Sequence, residues 1–431
     1  MQIAHILGCI ALIMGSAYST AAAEHKVLHS FTKLQLSDKF LCEGAGFGDF
    51  NHDGVMDIVS GPYWYAGPTF TDRHEYYTAK PFDIAGYSDN FFAYSYDINK
   101  DGWQDIVIIG FPGKQAWWFA NPQGKEGNWE RHTILKVVDN ESPDFNDITG
   151  DGIPELVCDS GGHIGYAEMP KDDPTKEWTF HPITENRKYQ RFTHGMGTGD
   201  LNGDGRKDIM QKEGWWEQPA HDSNVEYWAF HPYSFSDRGG AQMYAFDVDG
   251  DGDNDVVSSK AAHQYGLSWF ENQGKDDKGG IKFKEHLFMN EKPEENEFGV
   301  AFSELHAVAV ADLDHDGVPD IITGKRWYSH ANKAPGSLDA AVLYWFKIQR
   351  DGDNVRFIPY RIDNNSGVGT QVVVGDINGD NWDDVVIGNK KGSFVFTHEV
   401  KDVDKKTWDA AQPMPKDLAP TQPNTSPAAK Q

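Results

Sequence analysis

Asp312-Leu313-Asp314-His315-Asp316-Gly317-Val318-Pro319-Asp320 sets carboxylates at positions 1, 3, 5 and 9 of a nine-residue loop, with Gly at position 6. Alternating oxygen side chains around a sharp glycine turn are what a hard cation needs, and the carbonyl at position 7 adds a further oxygen. The pattern D-x-[DNT]-x-D-[GN]-x-x-[DE] occurs seven times, starting at Asp49, Asp97, Asp147, Asp200, Asp247, Asp312 and Asp376, at spacings of 48, 50, 53, 47, 65 and 64 residues. Seven such units fill most of the chain, which points to one repetitive array and not to several unrelated domains.

The oxygen donors are, unit by unit, Asp49, Asn51, Asp53 and Asp57; Asp97, Asn99, Asp101 and Asp105; Asp147, Asp151 and Glu155; Asp200, Asn202, Asp204 and Asp208. The last three units offer Asp247, Asp249, Asp251 and Asp255; Asp312, Asp314, Asp316 and Asp320; Asp376, Asn378, Asp380 and Asp384. Flexible carboxylates with a carbonyl favour Ca2+ over Mg2+. The third loop, with Thr149 at position 3 and Glu155 at position 9, and the seventh, with Asn381 in place of Gly, are expected to be the weak ones. Asx-rich turns with Asp-Gly also form without metal, but seven in register favour structural calcium.

Each unit repeats four strand signals. A small-residue run such as Gly195–Gly199 precedes the loop, and a β-branched run such as Ile321-Ile322-Thr323 or Val385-Val386-Ile387 follows it. Next comes an aromatic run, as in Trp117-Trp118-Phe119 or Tyr344-Trp345-Phe346, and then aromatic-x-x-His-x-apolar, as in Trp129–Ile134. Four strands in each of seven units predict an all-β fold, a single seven-bladed β-propeller over residues 24–408. The seventh unit shows no fourth strand of its own after Phe396, whereas Lys26–Phe31 has that pattern ahead of the first loop, so the N-terminal strand is expected to complete the last blade.

Composition agrees with this. Only 39% of residues are hydrophobic, with 13% aromatic, 44 Gly and 21 Pro, which suits short strands and tight turns better than long helices. The net charge of −27 makes nucleic acid and anionic membrane poor partners and cations good ones. Residues 1–23 read as a secretory signal, with an apolar run Ile6–Met14 too short to span a membrane and small residues Ala21–Ala23 ahead of Glu24. Ile6-Leu7-Gly8-Cys9 offers a lipoprotein alternative. Export places the protein outside the cell or in the periplasm, and Cys42 and Cys158 are too few for a disulfide framework. Residues 409–431, poor in groups to bury, are expected to be a disordered tail.

If the cation loops join the first and second strands at the bottom, then the start of the first strand and the second-to-third turn lie at the top, round the channel. Six residues before each first Asp stand Glu43, Phe91, Glu141, His194, Ala241, His306 and Thr370, with Gln242 and Gln371 one place on. The turns add His163, Lys260, His263, Lys325, Trp215 and Trp327 among others. These positions vary from unit to unit, as functional positions do in a repeated frame. His29, His132, His181, His231 and His286 recur at one repeat position and belong to that frame. The ionisable set could supply a base, His194 or His306, and a cationic enolate stabiliser, Lys325 or Lys260, for β-elimination beside a carbonyl. Glu43 and Glu141 serve as acid partners or as ligands of Zn2+ or another divalent ion. His163, His263, Gln242 and Gln371 would contact substrate, and Trp215 and Trp327 would stack on a sugar.

The repeated strand, D-x-[DN]-x-D-G-x-x-D loop and β-branched strand resemble the FG-GAP/VCBS calcium-binding propellers, a family that includes integrin α heads, over about Ala45 to Phe396. His194–Asp200, Gly214–Pro219, Glu304–Ala309 and Gly367–Asp376 also resemble the propeller domain of the aldos-2-ulose dehydratases. That likeness implies a lyase that removes water from a keto sugar, with its chemistry on the channel face. Those enzymes also carry cupin domains, which these 431 residues are expected to be too few to hold. The alternative is a carbohydrate-binding or adhesion module without catalysis.

Overall fold

The computed structural model describes residues 25–418 except 221, 222, 278 and 353, so the expected signal of residues 1–23 lies outside the described residues. Its strands form seven four-stranded antiparallel sheets arranged as the blades of a propeller. Blade 1 is Ala45–Gly48, Asp57–Ser60, Tyr63–Ala66 and Asp72–Glu75, from inner to outer strand. Blades 2 to 6 have inner strands Phe92–Tyr96, Asp144–Asn146, Met196–Gly199, Tyr244–Phe246 and Val308–Ala311. Blade 7 consists of Val372–Gly375, Asp384–Asn389, Gly392–Asp404 and, as outer strand, the N-terminal His25–Ser37. The expected closure by the N-terminal strand is therefore present. At the seam the imidazoles of His29 and His398 meet at 3.0 Å.

Each Asp-rich loop folds on itself for local reasons. Positions 4 and 6 take left-handed backbone: φ is 59° at His315 and 87° at Gly317, and Asn381 adopts 69°, so the seventh loop keeps its turn without glycine. The position-1 carboxylate accepts from the N–H groups of positions 5 and 6, as Asp49 does from Asp53 at 3.1 Å and Gly54 at 2.9 Å. Position 9 serves the blade. Asp57 accepts from Phe50 N at 2.8 Å and Gly67 N at 2.9 Å, and Asp105 does the same with Ile98 and Asn121. One buried side chain thus ties the loop to the end of the third strand.

Apolar second and third strands pack between neighbouring blades. Ile106, Ile108 and Phe119 of blade 2 join Phe50 and Val59 of blade 1, and Trp345 and Leu343 of blade 6 join Val385 and Phe396 of blade 7. The recurrent histidines stack on the third-strand aromatics: His132 on Trp118 at 4.6 Å, His181 on Tyr166 at 5.2 Å, His231 on Trp215 at 4.1 Å and His286 on Trp269 at 4.2 Å between ring centroids. Along the axis, Gln242 and Gln371 span the channel. Gln371 exchanges hydrogen bonds with both backbone groups of Ala93, while Gln242 donates to Thr370 O and accepts from Val308 N. Below them the channel is a cavity of about 460 Å³ lined by inner strands.

The described residues divide into a large unit, His29–Glu399 with Pro413–Leu418, and a small one, His25–Leu28 with Val400–Gln412. The small unit holds the helix Lys405–Ala411, whose first turn is capped by the Asp404 side chain accepting from Thr407 N at 2.8 Å. In the large unit, Lys416 N donates to Glu297 O at 3.0 Å. Order thus continues past Asp409, where the sequence suggests none, because a cap and a backbone tie organise a segment with little to bury. Residues 419–431 lie outside the described residues.

Candidate functional site

The lead-ins to the inner strands bring polar groups together at the top of the channel. His194 precedes blade 4, and His306 precedes blade 6. His263 comes from the second-to-third turn of blade 5. Their ring centroids lie 4.5 Å (His263 to His306), 4.9 Å (His194 to His263) and 5.7 Å (His194 to His306) apart. Gly239, at φ 88°, lets the next blade pass over His194, since a Cβ there would meet His194 O at 2.2 Å.

Carboxylates and one guanidinium surround the rings. Glu141 Oε2 is 3.4 Å from His194 Nε2 and 3.6 Å from Arg326 Nη1, and Glu43 pairs with Arg326 Nη2. Glu304 Oε2 lies 3.4 Å from His263 Nδ1 and 3.5 Å from His306 Nδ1. His330 closes the outer side: its Nε2 is 3.2 Å from His263 Nε2, and its Nδ1 is 3.4 Å from the Tyr87 hydroxyl.

Burial sets the protonation states. His306 is 2% exposed, and that burial, with Arg326 beside it, holds its pKa well below the ordinary value. Burial also pulls His194 down, but Glu141 more than offsets this and the net shift is upward. Glu141 would rise on burial, yet His194 and Arg326 bring it to about 2. His330 is lowered by burial and by His263, whereas burial raises the Tyr87 phenol. Lys390, its ammonium 4.9 Å above the Tyr87 ring, is lowered by burial to about 8.

Left-handed backbone collects here too. φ is 74° at Phe192, 66° at Glu304, 57° at Tyr328 and 49° at His330. Non-glycine residues in that region cost about 1–3 kcal/mol each and persist where surrounding structure holds them, often at functional sites.

Of the residues singled out from sequence, His194, His263, His306, Glu43 and Glu141 meet. Others do not reach the cluster. Lys260 pairs with Glu285 at 2.8 Å, and Lys325 donates to Ser303 Oγ at 2.8 Å. His163 Nδ1 bonds Thr184 O at 2.9 Å. Trp215, 3% exposed and stacked on His231, is core and offers no face to a sugar; Trp327 carries the Lys391 ammonium 4.3 Å above its ring. Gln242 and Gln371 engage backbone, as above. Arg326, one of the second-to-third turn residues, also joins the cluster, whereas Glu304, His330 and Tyr87 are the site residues that repeat position did not mark.

In the Asp-rich loops, carboxylate oxygens converge within 4.8 Å at Asp147, Asp151 and Glu155, at Asp247, Asp249 and Asp251, and at Asp312, Asp314 and Asp316. These groups fit a hard cation. The third loop, expected to be weak, is among them. In the sixth, the Lys347 ammonium contacts Asp314 and, at 2.7 Å, Asp316, standing where a cation would.

Family models match residues 97–158 and 247–323 as FG-GAP-like repeats and residues 368–397 as an FG-GAP repeat. The chain thus carries FG-GAP repeats in a seven-bladed β-propeller. No curated protein matches the sequence significantly. Among solved structures, the chain is similar to an Agrocybe aegerita lectin described as recognising non-reducing terminal N-acetylglucosamine, with 17% identity, 89% of this chain and 86% of that one covered, and a TM-score of 0.44. It is also similar to rhamnogalacturonan lyase YesW, with 12% identity, 86% and 72% covered, and a TM-score of 0.40. Among the described residues no helix is long and apolar enough to cross a membrane.

Proposed function

We propose that the protein is an exported, calcium-stabilised propeller that acts on carbohydrate by β-elimination at the top of its channel. The observation that carries this reading is the pairing of His330 and Tyr87 at the rim of the buried His–Glu–Arg cluster. His330 is kept unprotonated and can accept a proton, Tyr87 keeps its own and can give one, and the two lie 3.4 Å apart. In a keto sugar, the imidazole takes the proton from the carbon next to the carbonyl. The C–H electron pair forms the enolate and then the double bond, and the C–O bond on the neighbouring carbon breaks. The phenol protonates the departing oxygen. Arg326, fixed between Glu43 and Glu141, supports the developing oxyanion by its charge. The base role thus passes from His194 and His306, which are 9% and 2% exposed, to the exposed imidazole above them.

Elimination creates a conjugated enone or enoate, so purified protein mixed with keto sugars or polyuronates is expected to produce a rise in ultraviolet absorbance. His330→Ala and Tyr87→Phe should each lower that rate by about 10²–10⁴-fold, while His163→Ala should leave it unchanged. Binding heat from the same sugars with no absorbance change would make the protein a carbohydrate-binding module. Full activity in both variants would remove the site assignment.

A further inference from the structure

We propose that the channel below Gln242 and Gln371 binds a small organic ammonium ion, an alkylated amine whose charge sits among aromatic rings. The two glutamines cross the channel above this cavity, so the site is separate from the histidine cluster and goes beyond the proposed reaction. At about 460 Å³ the cavity is within the range of small-ligand sites. Six aromatic side chains line it: Phe47, Phe92, Tyr94, Tyr96, Phe145 and Tyr244. Four of them make a continuous wall, with centroids 6.4 Å apart from Phe92 to Tyr94, 5.4 Å from Tyr94 to Phe145 and 6.3 Å from Phe145 to Tyr96. Strand alternation builds that wall, since Phe92, Tyr94 and Tyr96 stand two residues apart and share one side of their strand. Ring faces attract a cation, and alkyl groups on its nitrogen gain from leaving water, which an inorganic ion does not.

Charge points the same way. Asp144 is the one charged group among the described residues that line the cavity, and these include no lysine, arginine or histidine. Its Oδ2 accepts from Thr198 Oγ1 at 2.7 Å, and among the described residues no cationic side chain pairs with it. At the lower mouth, burial and then the carboxylates of Asp97, Asp151 and Asp147 raise the Tyr96 phenol, so the rim is negative as well. The other polar groups of the wall are already engaged. Tyr94 Oη donates to Pro143 O at 3.4 Å, Tyr244 Oη to Val308 O at 3.0 Å and Ser95 Oγ to Phe47 O at 2.5 Å. Little is left for the hydroxyls of a neutral sugar, and one carboxylate supplies too few oxygens for calcium. An uncompensated carboxylate in an aromatic-lined cavity selects a cation that brings its own hydrocarbon.

The test is calorimetric titration of the intact protein with choline, with calcium in excess to occupy the Asp-rich loops. A parallel titration uses 3,3-dimethylbutan-1-ol, in which carbon replaces the charged nitrogen of choline. Choline should bind at one equivalent per chain and at least about tenfold more tightly than the alcohol. Asp144→Asn and Phe145→Leu should each weaken choline binding about 5–30-fold, whereas His163→Ala should bind as the parent does. Circular dichroism identifies any variant that has lost its fold; the near-isosteric Asp144→Asn then decides. Equal affinity for choline and the alcohol, no saturable choline binding, or an unaltered titration in Asp144→Asn overturns the proposal. Many weak sites per chain would overturn it too, as attraction to the acidic surface alone. Choline binding without elimination on any sugar keeps this site and removes the proposed reaction; elimination without choline binding does the reverse.

Discussion

Arg326 keeps its charge at 2% exposure because it lies between two carboxylates and against the rings of Tyr87 and Phe91, 5.4 and 5.6 Å away. An unpaired guanidinium could not stay there. Asp159 shows the opposite solution. Fully buried between blades 3 and 4, it accepts from Gln211 Nε2 at 2.7 Å, and burial raises its pKa to about 8 despite that bond, with Glu213 and Asp139 adding to the rise. The unfolded chain releases this proton near pH 4, whereas the folded protein holds it to about pH 8. Its contribution to stability therefore falls as pH rises from 4 to 8. Asp159→Asn removes that slope. The variant is expected to gain on the parent between pH 5 and pH 8, by about 1–3 kcal/mol at the upper end, as read by urea unfolding at the two values. A constant difference across that range would show that Asp159 is ionised in the fold.

At the scale of elements, local periodicity made the blades legible. The loop, the aromatic strand and the outer-strand histidine all act within some ten residues of their own position, so each recurs visibly. Counting back from the first Asp of each loop found Glu43, Glu141, His194 and His306 because that offset is fixed by the length of the inner strand. Arg326 stands in the sixth unit's second-to-third turn, a position the repeat marks, whereas Glu304 and His330 escaped: they sit on long top segments that obey no repeat. Their one signal was spacing, since units five and six run to 65 and 64 residues where the others take 47 to 53. Lys347 escaped for another reason, since nothing in the loop motif reveals a lysine arriving from the third strand. Lys347→Gln should tighten calcium binding at the sixth loop, read by calorimetry, and enlarge the rise in melting temperature on adding calcium to chelator-treated protein. Equal calcium responses in variant and parent would remove Lys347 as a competing cation, and no calcium response in either would remove the structural role of the loops.

Over the whole molecule, closure of the ring is what makes a site. Glu43 and Arg326 are 283 residues apart in sequence and meet only because blades 1 and 7 join, through Thr370 N donating to Glu43 O at 2.8 Å and the N-terminal strand pairing outside blade 7. Consecutive blades are linked in the same way, by Tyr244 OH to Val308 O at 3.0 Å or Val368 N to Lys325 O at 3.0 Å. The lead-ins to every inner strand therefore converge on one end of the channel, where a repeated frame can carry non-repeated chemistry. A double-mutant cycle of Glu43→Gln and Arg326→Met, followed by urea unfolding, tests that convergence most directly. The two changes should couple by about 1–3 kcal/mol, as groups in contact do; additivity within about 0.5 kcal/mol would mean that the two side chains do not meet.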